Sequence, residues 1–112
     1  MQACLVKGIL VKRLALFGGS FNPVHLAHLV LAEWARDALG LDRVLFIPAG
    51  EPPHKREQKL IAGHHRRRMV HLAIADHRAF AVSDIELNRE GPSYSVDTVM
   101  AVRREVGDEA EL

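Results

Sequence analysis

Residues 17–28 read Phe17-Gly18-Gly19-Ser20-Phe21-Asn22-Pro23-Val24-His25-Leu26-Ala27-His28. An apolar run at 14–17 leads into this segment and a helical pattern follows it, so the segment lies where a strand gives way to a helix. Because glycine has no Cβ, Gly18 and Gly19 allow a tight turn and let a ligand approach the backbone amides. The N-terminus of the following helix favours an anion. The segment therefore predicts a phosphate-binding loop in an α/β fold.

Two histidines follow the glycines. His25 and His28 are three residues apart, which on a helix places both side chains on one face. An imidazole in this position can donate a hydrogen bond to a phosphate oxygen. The alternative is a zinc pair, which needs a further ligand, and His54 is the candidate for it in the sequence.

The glycine spacing excludes two common phosphate-binding motifs. A dinucleotide fingerprint needs a third glycine close by, but the next one is Gly40, and a P-loop ends in Gly-Lys-Ser/Thr, which is missing here. The segment instead resembles the GGxFxPxHxxH signature of the nucleotidyltransferase superfamily. Ala27 stands where glycine is commonest in that signature, and alanine is a small substitute.

Two later segments narrow the resemblance to the bacterial nicotinate-mononucleotide adenylyltransferase family. They are Pro52-Pro53-His54-Lys55 and Gly91-Pro92-Ser93-Tyr94-Ser95-Val96-Asp97-Thr98, and the resemblance extends over residues 14–106. It implies adenylyl transfer from ATP to nicotinate mononucleotide, with Mg²⁺ bridging the leaving pyrophosphate. Two alternatives remain: a related transferase with another phosphate acceptor, or a catalytically incomplete nucleotide-binding fragment.

The resemblance also implies roles for particular residues. His25 and His28 are the expected catalytic residues, and no protein side chain is expected to bind a metal. The expected ATP phosphate ligands are Gly18, Gly19, Ser20, Phe21, His25 and His28. The expected substrate-binding residues are His54, Lys55, Tyr94 and Ser95, the last two beside the nicotinate ring.

Composition limits the class of protein. The chain has 112 residues, 48% of them hydrophobic and 26% charged, as expected for one globular domain. A formal net charge of +1 argues against a nucleic-acid partner. Cys4 is the single cysteine, which favours a reducing cytoplasm, and the sequence shows no membrane span.

The apolar pattern predicts alternating strands and helices. Gly40 marks the end of the first helix, whose expected core stripe is Leu31, Trp34, Ala35 and Ala38. The basic run 64–68 is expected to be a solvated face. The predicted strands are 14–17, 44–47 and 80–82, and the predicted helices are about 24–39, 64–76 and 95–106.

This alternation predicts a Rossmann-like α/β fold with a parallel sheet in the strand order 3-2-1. Its motif loops would then open on the carboxyl edge of the sheet. The resemblance implies a fourth strand and an Ile-Ser-x-Ser/Thr-x-x-Arg segment, neither of which occurs by Leu112. Residues 1–112 are therefore expected to form the N-terminal part of one domain, with the second half absent. The uncovered edge of the first strand would then favour a homo-oligomer.

Overall fold

A three-stranded parallel sheet forms the centre of the structure. The structure is a computed structural model that describes residues 5–6, 9–10, 12–50, 61–89, 93–106 and 112. Its elements in chain order are β1 (Leu5–Val6), β2 (Ile9–Leu10), β3 (Leu14–Gly19), α1 (Leu26–Leu39), β4 (Arg43–Pro48), α2 (Gly63–Ile74), β5 (Phe80–Val82) and α3 (Ser95–Val106). The short strands β1 and β2 pair with each other, apart from the main sheet.

The main sheet has the order β3-β4-β5, which confirms the predicted order 3-2-1. Leu16 lies opposite Leu45 of β4, and Leu45 lies opposite Ala81 of β5. All six residues of β4 are buried, as its uninterrupted apolar sequence predicts for a central parallel strand. In the described part of the chain, β3 and β5 are the edge strands.

Helices cover both faces of the sheet. On one face Phe46 and Phe80 pack with Val70 and Ile74 of α2 and with Ala32 of α1. On the other face Val102 of α3 packs in a cluster with four sheet residues, Leu14, Leu45, Ile47 and Ala81. Two helices on one face and the third on the other is the arrangement of a doubly wound sheet. All three strands therefore end at the same edge.

The observed bounds differ from the predicted ones by up to two residues, and α2 (Gly63–Ile74) ends two residues before the predicted end at 76. β3 continues through Gly18 and Gly19, because these residues pair with Ile47 and Pro48 of β4. Helix α1 begins at Leu26, two residues later than predicted, and ends at Leu39, where Gly40 caps it with a left-handed φ of 62°. Helix α3 has the predicted bounds.

The predicted core position of Trp34 is wrong. Its side chain is 68% exposed, and Leu31 of the same stripe is exposed as well. Helix α1 packs on the sheet through Ala32, and its outer side carries a second apolar face made of Leu26, Val30, Leu31 and Trp34. Because the helix is apolar on two sides, its sequence pattern does not specify which side faces the sheet.

A polar cluster ties α1 to the turn before β5. Glu33 accepts two hydrogen bonds from the Arg36 guanidinium, at 2.9 and 2.6 Å, and pairs with His77 Nε2 at 2.8 Å. The ring of His77 stacks on Phe80 at a centroid distance of 3.7 Å. The Arg36 hydrogen bond is the main cause that lowers the pKa of Glu33 to about 2, with His77 adding to it.

Candidate phosphate-binding site

The turn after β3 lies at Asn22 and Pro23 and follows Phe21, so the two glycines do not form it. Gly18 and Gly19 are extended strand residues, whereas Phe21 has a left-handed φ of 45°. That conformation costs a bulky residue about 1–2 kcal/mol. Burial of the Phe21 ring against Phe17 and Phe46, at 5.4 and 5.6 Å between ring centroids, offsets this cost. The sequence-based assignment of the tight turn to the glycines is therefore wrong.

Gly18 is exposed, and its missing side chain leaves open space. A Cβ built on Gly18 meets no heavy atom within 4 Å, while one on Gly19 makes ordinary contact with the Phe21 ring at 3.5 Å. Neither the backbone conformation nor the packing of the described residues therefore requires glycine at position 18. The open space lies at the carboxyl end of the strand, where α/β proteins bind their ligands.

Two backbone N–H groups follow Gly18 and Gly19 in the sequence. The N–H groups of Ser20 and Phe21 form no hydrogen bond within the described part of the chain. Donors left free at a strand-to-helix turn suit an anion, because they can all point toward a bound oxygen.

The structure brings the two histidine rings together at the start of α1. His25 precedes the helix, with an extended φ of −143°, and His28 lies in its first turn. Their rings stack at a centroid distance of 3.9 Å. The expectation that both histidines sit on one helical face is thus wrong in detail, since His25 lies outside the helix, although the side chains do meet.

His28 has a defined proton position. Its Nδ1 accepts a hydrogen bond from the backbone N–H of His25 at 3.0 Å, so the neutral ring carries its proton on Nε2. Burial, and secondly the neighbouring His25, lower the pKa of His28 below its ordinary value of 6.5. The ring also packs edge-on against Phe21 at 5.0 Å. His28 therefore offers a fixed neutral N–H donor.

Arg66 is a buried residue of the site that the sequence analysis assigned to a solvated face. Its side chain is 2% exposed and lies on the inward stripe of α2 with Val70 and Ile74. The spacing of four residues between 66, 70 and 74 is the pattern that identifies Arg66 as inward-facing. The guanidinium donates hydrogen bonds to the carbonyl oxygens of Ser20, Ala49 and Ile61, at 2.8, 2.6 and 2.6 Å.

The loops after the three strands contact one another at the carboxyl edge. The Ala49 N–H donates to the Gly19 carbonyl at 2.8 Å, just after β4. A Cβ on Gly50 would lie 2.5 Å from the carbonyl oxygen of Glu86, which follows β5. Glycine at position 50 is therefore required by this close approach, a role the sequence analysis missed.

Tyr94 and Ser95 lie at the start of α3. The Tyr94 carbonyl accepts hydrogen bonds from Asp97 and Thr98, and its side chain is 56% exposed. The Thr98 hydroxyl donates to Glu86 at 2.6 Å, which fixes α3 to the turn after β5. Described contacts thus connect α3 to that turn but do not join Tyr94 or Ser95 to the histidines. The predicted ligands His54 and Lys55 lie outside the described residues.

The described residues were compared with the requirements of a metal site and of a membrane-spanning helix. Across residues 12–50, 61–89 and 93–106, no three His, Cys, Asp or Glu side chains are grouped so that they could hold a metal ion. None of the helices found in these segments has the length and apolar character needed to cross a membrane.

The structure has a parallel sheet that is covered on both faces, with a glycine-histidine loop at its carboxyl edge. This is the architecture of a nucleotide-binding α/β protein. The chain belongs to the cytidylyltransferase-like family, whose profile matches residues 16–109. This assignment agrees with the superfamily that the first motif resembles.

Individual relatives narrow the similarity. The chain is 57% identical over 95 residues to a protein of Geobacter sulfurreducens described as a probable nicotinate-nucleotide adenylyltransferase; the match covers 84% of this chain and 44% of that protein. It is 53% identical over 100 residues to a protein of the same description from Pelobacter propionicus, covering 89% and 46%. The chain therefore spans less than half the length of these relatives.

A solved structure supports the fold. The chain is similar to a Plasmodium falciparum nicotinic acid mononucleotide adenylyltransferase complexed with NaAD, with a TM-score of 0.68 and 17% sequence identity. The match covers 83% of this chain and 46% of that chain. The Rossmann-like α/β fold predicted from the sequence is thus confirmed.

Proposed function

We propose that the full-length gene product transfers the adenylyl group of ATP to nicotinate mononucleotide, forming nicotinic acid adenine dinucleotide and pyrophosphate. The observation that carries this proposal is the turn after β3, where an exposed Gly18, two amides with no hydrogen-bond partner among the described residues, and a stacked histidine pair follow one another. The descriptions of the Geobacter and Pelobacter relatives support nicotinate mononucleotide as the acceptor.

The chemistry requires alignment more than proton transfer. A phosphate oxygen of the acceptor, already ionised near neutral pH, forms a bond to the α-phosphorus of ATP. The bond between that phosphorus and the oxygen that bridges it to the β-phosphorus breaks, and pyrophosphate leaves with the electron pair. Fixed hydrogen-bond donors stabilise the charge that develops on the phosphoryl oxygens.

Each described site residue has a role in this proposal. Gly18 leaves room for the triphosphate, and the amides of Ser20 and Phe21 bind its oxygens. His28 donates from Nε2, since its Nδ1 is occupied by the His25 amide. His25 stacks on that ring and provides the second imidazole. These donors act without losing a proton, which suits a reaction that needs no general base.

The remaining predicted residues belong to the acceptor side. We assign His54 and Lys55 to the acceptor phosphate or the triphosphate, from their place in the motif after β4. Tyr94 and Ser95 are assigned to the nicotinate ring. The exposed Tyr94 ring has the area needed to stack on a planar heterocycle.

Mg²⁺ is proposed as a partner of the triphosphate. The described residues contain no group of acidic or histidine side chains suited to a metal, and Mg²⁺ favours substrate phosphates and water as ligands. The imidazoles of His25 and His28 are poor ligands for so hard a cation. When bound, the ion supplies neutralisation of the pyrophosphate charge.

The cellular setting is proposed from composition. The net charge of +1 gives no electrostatic basis for a nucleic-acid partner, and the single cysteine suits the cytoplasm. Homo-oligomer formation is proposed from the edge strand β3 and from the exposed apolar face of α1, made of Leu26, Val30, Leu31 and Trp34.

The test is a coupled pyrophosphate assay on the full-length gene product. We expect pyrophosphate release with ATP, Mg²⁺ and nicotinate mononucleotide, and less release with nicotinamide mononucleotide. Phosphopantetheine and glycerol phosphate serve as acceptors for the alternative transferase reactions. If pyrophosphate were released with one of these acceptors and not with nicotinate mononucleotide, the proposed acceptor would be wrong.

A further inference from the structure

Arg66 joins three segments of the chain that are distant in sequence. Its Nη1 donates to Ser20 in the turn after β3 and to Ala49 directly after β4, while its Nε donates to Ile61 before α2. Two other hydrogen bonds between described residues join these segments: the Ala49 N–H donates to the Gly19 carbonyl, and the Ile61 N–H donates to the Asn22 side-chain oxygen.

The charge on Arg66 makes this arrangement unusual. Among the described residues the guanidinium hydrogen-bonds to carbonyl oxygens and to no carboxylate. Burial lowers its pKa from the ordinary value of 12.5, but an arginine side chain stays protonated in a protein. A buried cation without a carboxylate partner is costly. An apolar side chain of similar volume avoids this cost, so burial alone does not explain arginine here.

We propose that Arg66 is a positioning residue that holds the turn after β3 and residues 49–50, directly after β4, in the geometry that binds a polyphosphate. It acts through the Ser20 carbonyl: with that oxygen fixed, the peptide joining Ser20 to Phe21 is fixed, and so is the direction of the Phe21 N–H. This inference rests on the proposed function, because it deepens the account of the same anion site.

The fork shape of the side chain explains why three carbonyls can be held at once. Guanidinium donors are planar and fixed relative to each other, whereas a lysine ammonium is a single point on a flexible stem. Arg66→Lys keeps the charge and loses the fork. Arg66→Met keeps the approximate side-chain volume but loses both the charge and the planar set of donors. Arg68→Met is the matched control, since Arg68 lies on the exposed side of the same helix.

The experiment measures binding of inorganic pyrophosphate to the full-length gene product by calorimetry, at a temperature where circular dichroism shows each variant folded. Hydrogen-exchange mass spectrometry follows the segments 18–21 and 49–50. We expect Arg66→Met to raise the Kd at least tenfold and to speed exchange in both segments. Arg66→Lys should lie between it and the wild type, and Arg68→Met should match the wild type.

The outcomes separate positioning from stability. A folded Arg66→Met protein with a lower melting temperature but an unchanged Kd would show a purely structural role and overturn the proposal. If neither Arg66 variant folds, the ¹⁵N signal of the Arg66 Nη1–H group in the wild type decides, because this group donates to the Ser20 and Ala49 carbonyls. A shift on pyrophosphate titration supports the proposal, and an unmoved signal overturns it. Failure of the proposed function is recognised separately, as pyrophosphate binding without adenylyl transfer.

Discussion

Gly18→Ala is expected to stabilise the protein and to weaken its binding of ATP. The added methyl group enters open space, with no heavy atom within 4 Å, on an extended strand residue. Alanine in a strand is favoured over glycine by about 0.5–1 kcal/mol, because glycine loses more conformational freedom on folding. For a full-length gene product of the length of the curated relatives, which this chain covers to less than half, that gain raises the melting temperature by about 1–4 °C.

The same methyl group occupies the space that the proposed triphosphate needs. We expect the Kd for ATP to rise by about tenfold to a hundredfold, equivalent to about 1.4–2.7 kcal/mol. Thermal unfolding and calorimetric titration with ATP are measured on the full-length gene product. Gly50→Ala is the contrasting control: its Cβ would lie 2.5 Å from the Glu86 carbonyl, so it should lower the melting temperature. A Gly18→Ala protein that binds ATP as tightly as the wild type would refute the assignment of this space to the ligand.

Four further substitutions test other parts of the structure. His25→Ala and His28→Ala should each lower kcat by about a hundredfold, as for loss of a donor to transition-state charge. Urea unfolding should show His28→Ala losing about 1–2 kcal/mol, because the His28 ring packs on Phe21 and accepts a hydrogen bond from the His25 amide. Unchanged turnover in both would exclude them as phosphate ligands. Glu33, with its pKa lowered to about 2 from an ordinary 4.5, stabilises the folded state above pH 4.5 and loses this effect as the pH falls toward 2. Glu33→Gln should therefore flatten the decline in stability over that range, and an equally steep decline would contradict the pairing with Arg36 and His77. Trp34→Glu should reduce concentration-dependent association in sedimentation velocity if the apolar outer face of α1 mediates it, whereas unchanged association would exclude that face.

The sequence predicts the regular parts of this fold well. The four apolar residues Val44–Ile47 are typical of a central strand in a parallel sheet, and β4 lies there. The bounds of α3 follow from its helical pattern, and Gly40 ends α1 because it tolerates a left-handed φ. In these elements the local sequence preference and the tertiary packing favour the same structure.

Three predictions fail because tertiary contacts override local preference. Phe21 adopts a left-handed backbone that glycine would favour, since burial of its ring outweighs the local cost. Trp34 lies on the outer of two apolar faces of α1, which periodicity alone does not distinguish. Arg66 is buried because carbonyl groups from distant segments converge on it, and charge alone predicts the opposite.

The most direct test of the central claim is product analysis of the full-length gene product incubated with ATP, Mg²⁺ and nicotinate mononucleotide. The account predicts nicotinic acid adenine dinucleotide and pyrophosphate in equal amounts, with slower formation from nicotinamide mononucleotide. It also predicts that His28→Ala suppresses both products while the protein remains folded. ATP binding with no dinucleotide formed from either acceptor would contradict the account.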